Sequence, residues 1–188
     1  QPMSVDDLRG IIVAFPGERT TAVLVLNLLF GRGAFRHTVV MFDQILRYVA
    51  DGRADAGLII HEGQLTYTQQ NLHKIVDLGE WWKSTTGLPL PLGGNCIRRD
   101  LGKQAMTEVA AILKNSIEYS LAHRPEAVQH ALQYARDMGK NLADRFVGMY
   151  VNDWTIDYGE VGRRAVSELL RRGHERGLVP SLPALEFV

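Results

Sequence analysis

The stretch Ala56-Gly57-Leu58-Ile59-Ile60-His61-Glu62-Gly63 decides the fold class. Its apolar residues follow one another without alternation, which is typical of a strand buried on both faces of a parallel α/β sheet. Ligands of such sheets bind just beyond the carboxyl ends of the strands, where His61 falls. An imidazole accepts or donates protons near neutral pH, so His61 is a candidate catalytic residue. The alternative is a core or strand-end histidine whose ring is hydrogen-bonded to a backbone carbonyl.

A second apolar run, Ile11-Ile12-Val13-Ala14-Phe15, predicts another buried strand, and a helix follows it. Thr20 and Thr21 offer N-cap hydroxyls to this helix, which extends to Gly31. Free amides and a partial positive charge at such a helix start bind carboxylates and phosphates. The segment lacks the glycines and lysine of a nucleotide-binding P-loop, so we expect a small-molecule carboxylate here. The alternative is an ordinary strand-to-helix turn with a threonine cap.

Three more strands are predicted farther along the chain. They cover residues 38–41, 74–78 and 95–99, and a helix capped by Asp43 precedes the key stretch. The order β-α-β-α-β predicts a parallel sheet. Trp81 and Trp82 open the next segment, and we interpret them as packing anchors.

From Lys103 onward, apolar residues recur at three- and four-residue spacing, which predicts four helices. Pro125 suits the first turn of the second helix, and Ala135 and Met138 are predicted to face inward from it. We therefore predict an α/β lobe at 8–101 and a helical C-terminal segment at 102–188. One small sheet cannot cover all of these apolar faces. Either the chain forms a homodimer, or the helices pack on a second lobe that is largely absent from this sequence; we favour the second lobe.

Composition excludes several classes of function. The 188 residues carry 21 basic and 21 acidic side chains, which gives no net charge for binding nucleic acid or an anionic membrane. The most apolar segment, 22–30, is too short to span a bilayer. His61 and Glu62 begin like a zinc-protease helix, but Leu65 stands where the second histidine is needed, so we predict no metal site. The single Cys96 fits a reducing, cytoplasmic location.

Several motifs together resemble the 1,4-dihydroxy-6-naphthoate synthases, a menaquinone-biosynthesis family of the futalosine pathway. The motifs are Gly57-Leu58-Ile59-Ile60-His61-Glu62, Asp77-Leu78-Gly79-Glu80-Trp81-Trp82, Thr86-Gly87-Leu88-Pro89-Leu90-Pro91-Leu92-Gly93 and Arg98-Arg99-Asp100-Leu101-Gly102. The resemblance extends to Pro16-Gly17, Thr20-Thr21-Ala22, Tyr150-Val151-Asn152 and the closing Phe187-Val188, and so covers essentially the whole sequence.

The resemblance implies a type II fold like that of the periplasmic binding proteins, with substrate held between two lobes. It implies a lyase that converts cyclic dehypoxanthine futalosine to 1,4-dihydroxy-6-naphthoate without metal or organic cofactor. The catalytic histidine of the family matches His61 as proton acceptor, and its substrate-contacting threonine and alanine match Thr21 and Ala22, next to Thr20. Members begin with a further N-terminal segment, which we expect to be absent here.

Two other interpretations remain open on the same fold. One is a solute-binding protein or sensor lobe for a small carboxylate, and the other is an inactive remnant that serves as an interaction domain. Within the enzyme hypothesis, Glu62 could orient the imidazole of His61. Adjacent strand residues point to opposite faces, however, so direct contact is not expected, and Asp43 is a weaker candidate for that role.

Overall fold

The computed structural model describes residues 3–134 and 139–188. They form a mixed α/β protein in which one small parallel sheet is accompanied mainly by helices. This confirms the predicted α/β class. The predicted inward positions Ala135 and Met138 lie outside the described residues.

The chain divides into two compact units. The sheet unit contains the described residues up to Gly93 together with Arg164–Pro183. The helical unit contains the described residues of Gly94–Arg163 together with Ala184–Val188. Every residue predicted to take part in the functional site belongs to the sheet unit.

Three parallel strands form the sheet, with β1 (Ile12–Phe15) between β2 (Arg36–Val39) and β3 (Ala56–Gly57). The key stretch therefore supplies the third strand, although only two of its residues are in regular pairing. One more backbone bond, from the Leu58 N–H to the Ala14 carbonyl at 2.8 Å, continues the contact before the chain leaves the sheet. β2 begins two residues earlier than predicted.

The helix α1 (Thr21–Phe30) follows β1 as predicted. The Val23 N–H donates to Thr20 Oγ1 at 3.2 Å, which satisfies one of the free amides of the first turn. Gly31 ends the helix with a φ of 91°, a conformation that favours glycine. Because α1 is apolar on most sides, it is heavily buried, and Val25 is fully covered.

The helix α2 (Ile45–Ala50) lies between β2 and β3, but its start differs from the prediction. Asp43 lies in a 3₁₀ turn, Phe42–Gln44, and the residue at the N-cap is Gln44, whose side chain makes no capping bond. The extra turn places Asp43 one residue too early to cap the helix.

Two of the predicted strands are wrong. Residues 74–78 form no strand, because Asp77 caps α3 (Leu78–Thr86) by accepting from the N–H groups of Gly79 and Glu80. Ile75 and Leu78 still pack against the core beside β1. Ile75 does so from a loop and Leu78 from the first residue of α3. Residues 95–99 also form no strand and lead into a 3₁₀ turn, Arg99–Leu101.

Trp82 of α3 lies in the core of the sheet unit, which confirms its interpretation as a packing anchor. Trp82 is fully buried with Val25, Leu28 and Leu169, and its Nε1–H donates to the Pro89 carbonyl at 3.1 Å. A buried indole with its N–H satisfied is a stable anchor.

The helical unit follows the predicted periodicity. Its elements are α4 (Lys103–Ala122), α5 (Arg124–Ala131), α6 (Lys140–Tyr150), the unpredicted short α7 (Asp153–Ile156) and the first residues of α8 (Gly159–Glu175). On α4 only Met106 is buried. His123, His130 and His174 are exposed. No helix in the described part of the chain is long and apolar enough to cross a membrane.

Candidate active site

His61 lies beyond the carboxyl end of β3, with a backbone role that the sequence did not reveal. The strand ends at Gly57, and His61 is the N-cap of a 3₁₀ turn, Glu62–Leu65. The residue is only 8% exposed. Among the described residues, it is the one polar side chain that is buried. The ring is therefore held in a fixed orientation by its local turn.

The hydrogen bond that holds this ring also determines which of its two nitrogens carries the proton. Gly63 N–H donates to His61 Nδ1 at 2.9 Å, so Nδ1 must offer a lone pair. In a neutral imidazole the hydrogen is then on Nε2. His61 Nε2 is buried and has no hydrogen-bond partner among the described residues. The alternative of a histidine satisfied by a carbonyl is not what the structure shows.

An unsatisfied buried donor of this kind costs about 1–3 kcal/mol, and such groups in native proteins require an explanation. A ligand oxygen placed at Nε2 would accept this hydrogen bond. Because Nε2 is covered, neighbouring side chains must move for a ligand to reach it.

Close packing on both sides of the imidazole restricts its position. The Phe42 ring lies edge-on to it, with centroids 5.7 Å apart. On the Gly63 side, a Cβ would lie 2.5 Å from His61 Cε1 and 2.8 Å from Leu46 Cδ1. Only glycine at position 63 leaves room for the ring where it is, and the sequence analysis missed this requirement.

The carboxylate of Glu62 is near the imidazole, contrary to the prediction that adjacent side chains would diverge. Glu62 Oε2 lies 3.7 Å from His61 Nδ1. The prediction was wrong because the two residues are not in a strand: the chain turns at His61, so the alternation of strand side chains does not apply. The Glu62 side chain is 29% exposed.

At the start of α1 the three predicted residues have different environments. Thr20 uses its hydroxyl within the turn, where Oγ1 accepts from Val23 N–H and donates to the Gly17 carbonyl at 3.3 Å. The side chain of Ala22 packs against the core. The N–H groups of Thr21 and Ala22 have no partner within the described chain. The backbone amides of Thr21 and Ala22 are donors free to bind an anion here, whereas the Thr20 hydroxyl is used within the turn.

The loops that carry these groups follow the carboxyl ends of neighbouring parallel strands, so they meet at one edge of the sheet. Two contacts tie the loops together. Glu18, after β1, lies 3.2 Å from His37 of β2, and Phe42, after β2, contacts His61 after β3. Among the described residues, no group of three or more His, Cys, Asp or Glu side chains is placed to hold a metal ion.

A parallel-sheet α/β unit with a histidine and free helix-start amides at its carboxyl edge defines a class of small-molecule-binding proteins and enzymes. Residues 2–175 match the model of a family described as menaquinone biosynthesis. The chain therefore belongs to the menaquinone biosynthesis family, and the resemblance seen in its motifs is confirmed.

Individual relatives support this assignment. The chain is 42% identical over 180 residues to a 1,4-dihydroxy-6-naphthoate synthase of Streptomyces coelicolor and 41% identical over 181 residues to one of Thermus thermophilus. These alignments cover 94% and 96% of this chain. They cover 64% and 66% of the relatives, so the chain spans slightly less than two thirds of their length.

A crystal structure of a protein from Archaeoglobus fulgidus has a similar fold. It matches 95% of this chain and 66% of its own, with a TM-score of 0.88 and 38% sequence identity.

Proposed function

We propose that this chain takes part in menaquinone biosynthesis as a 1,4-dihydroxy-6-naphthoate synthase, a carbon–carbon lyase acting on cyclic dehypoxanthine futalosine in the cytoplasm. The family match and the names of the relatives support the reaction. The observation that carries the assignment to a site is the buried, unpartnered Nε2 of His61 beyond the carboxyl end of β3. No organic cofactor enters the proposal.

His61 is the proposed proton acceptor. In the proposed step, the imidazole takes a proton from the sugar-derived portion of the substrate. The electron pair left behind drives cleavage of a carbon–carbon bond, and formation of the aromatic naphthalene makes cleavage favourable. A positioned general base contributes roughly 10²- to 10⁴-fold to a rate.

The start of α1 is the proposed anion site. The amides of Thr21 and Ala22, in the turn shaped by the Thr20 cap, would hold the substrate carboxylate or a developing oxyanion. Their lack of partners among the described residues and the helix dipole both support this role.

A second lobe is proposed for the fold, which would then be of the type II periplasmic-binding-protein kind. In this proposal the α/β lobe covers 8–101 and the helical segment 102–188 helps to complete the other lobe, except that Arg164–Pro183 of this segment packs within the sheet unit. Apolar side chains are exposed on α4, such as Ile112 at 68%. Their exposure supports the proposal that another surface packs against this face of the helix. A homodimer would cover the same side chains. Light scattering on the purified chain separates the two, because a monomer is expected for the lobe and a dimer for self-association.

The competing function is a solute-binding protein or sensor lobe for a small carboxylate. It shares the anion site but needs no proton transfer, so the reaction itself is the discriminating measurement.

The decisive assay incubates the purified chain with cyclic dehypoxanthine futalosine and follows 1,4-dihydroxy-6-naphthoate by chromatography. The longer relative from Thermus thermophilus serves as positive control. Product is expected from the wild-type chain, with at least about a 10³-fold loss in His61→Gln. His130→Gln, which changes an exposed histidine of the helical unit, should be fully active. Substrate binding without product would contradict the enzyme proposal and favour the binding protein.

A further inference from the structure

We propose that Gly63 and Glu62 are positioning residues that decide which nitrogen of His61 carries the proton. The inference rests on the proposed function for its catalytic meaning, while its structural core can be tested without turnover. Gly63 would hold the ring with its proton on Nε2, and Glu62 would hold the form that can act as a base.

The first step concerns Gly63. Its N–H points at His61 Nδ1 from 2.9 Å, so that nitrogen is an acceptor and Nε2 bears the hydrogen. The absence of a side chain at position 63 leaves room for the ring in this orientation, since a Cβ there would lie 2.5 Å from Cε1, and Phe42 packs edge-on against the ring. In this tautomer His61 Nε2 can therefore donate a proton, but it has no lone pair to accept one.

The second step concerns the base-competent form. For Nε2 to accept a proton from a substrate, the proton on Nε2 must first pass to solvent water and another must reach Nδ1 from solvent water, with no change in the charge of the ring. The new Nδ1–H would point toward the Gly63 N–H, which repels it. The acceptor at hand is Glu62 Oε2, which lies 3.7 Å from Nδ1, and a rotation of the partly exposed Glu62 side chain would bring it within hydrogen-bond distance.

The third step follows the transferred proton. When His61 Nε2 takes the substrate proton, the electron pair of the broken bond stays on the substrate and the ring becomes an imidazolium with hydrogen on both nitrogens. The Glu62 carboxylate then faces a positive charge instead of a neutral ring. A hydrogen bond between ionised partners is roughly twice as strong as a neutral one, so Glu62 stabilises the ring most after the proton has moved.

Nitrogen-15 NMR of the histidine-labelled protein reads the proton position directly. The chain has six histidines, and the signal of residue 61 is identified by its loss in His61→Gln. In the neutral ring of the wild type, Nδ1 should be unprotonated and Nε2 protonated. A neutral ring with its hydrogen on Nδ1 would overturn the role of Gly63.

Gly63→Ala and Gly57→Ala form a matched pair of variants. Both glycines lie in the sheet unit and neither has a positive φ. A Cβ at position 63 meets the imidazole, whereas one at position 57 meets Ile45 Cγ2 at 2.6 Å and Val49 Cγ2 at 3.0 Å. Gly63→Ala should lose the single proton position at His61, and Gly57→Ala should keep it. Equal spectra for the two variants would show that Gly63 has only a packing role.

Glu62→Gln tests the second residue by two measurements. In spectra where the His61 ring carries hydrogen on both nitrogens, the wild type should show a slowly exchanging Nδ1–H that the variant lacks. With substrate, kcat should fall about tenfold while KM changes little, because the carboxylate acts after binding. An unchanged Nδ1–H signal would overturn the role of Glu62. If the spectra are as expected but neither the wild type nor any variant forms product, the proposed function is contradicted and the positions of the His61 protons are not.

Discussion

The two units contain similar apolar patterns but bury them to very different extents. In the sheet unit, β1, α1 and α3 contribute to continuous clusters around Phe15, Val25 and Trp82. In the described part of the helical unit, the buried apolar side chains are Met106, Val128 and Ala143, while α4 exposes Val109, Ile112 and Leu113. A helical period shows which face of a helix is apolar, but it does not show what covers that face. Stability should therefore depend mainly on the sheet unit.

The largest effect is expected from Trp82→Ala in the sheet unit. The side chain is fully buried, and its removal leaves a cavity beside Val25 and Leu169 and an unpaired carbonyl on Pro89. Large-to-small changes of this kind cost about 3–5 kcal/mol. Urea unfolding followed by circular dichroism measures the loss. A loss below about 1 kcal/mol would mean that the sheet unit is not the stable part of the molecule.

A smaller effect is expected from the cap of α1. Thr20→Ala removes the oxygen that accepts from Val23 N–H and should lower the free energy of unfolding by about 1 kcal/mol. Thr20→Ser retains the acceptor and should lower the free energy of unfolding by only roughly a few tenths of a kcal/mol. Asn152→Ala removes the corresponding cap of α7 in the helical unit, and because α7 has only four residues with none buried, we expect a smaller loss. Equal losses at the two caps would contradict the difference between the units.

The elements around this cap show what sequence could predict. β1, α1 and its Thr20 cap were confirmed because each depends on signals within a few residues: a continuous apolar run, a capping hydroxyl and a terminal glycine. The strand predicted at 74–78 was wrong for the same local reason, since Asp77 begins a helix there. A strand also needs a neighbour to pair with, and that requirement is not visible in its own residues.

For the candidate site, sequence gave the position of His61 but not its chemistry. The residue was expected beyond a buried strand, and it lies there. The hydrogen bond from Gly63 depends on the turn after His61, and the approach of Glu62 depends on the strand having ended four residues earlier. Both are consequences of a turn geometry that periodicity cannot predict.

Acid should destabilise the sheet unit through Glu168 of α8. Hydrogen bonds from Arg171 and Arg172 lower the pKa of its carboxyl from 4.5 to about 2. Because the folded value is below the unfolded one, the stabilisation is present above about pH 4.5 and is lost as the pH falls toward about 2.

Solvent around the two arginines weakens this effect, so we expect it to be worth about 0.5–1 kcal/mol. Glu168→Gln removes it. The free energy of unfolding of the wild type should therefore fall more than that of the variant between about pH 6 and about pH 3. Parallel pH profiles would show that these ion pairs contribute nothing to folding.

The smallest effect is expected from Ile112→Ala in the helical unit. The side chain is 68% exposed on α4, so its truncation removes little buried area and should change the free energy of unfolding by less than about 0.5 kcal/mol. Met106→Ala on the same helix is the matched control, because Met106 is 8% exposed and its truncation should cost about 2 kcal/mol or more. If Ile112→Ala costs as much as Met106→Ala, the exposed face of α4 is covered in solution. Repeating the unfolding at several protein concentrations then identifies the cover, since only self-association makes the loss depend on concentration.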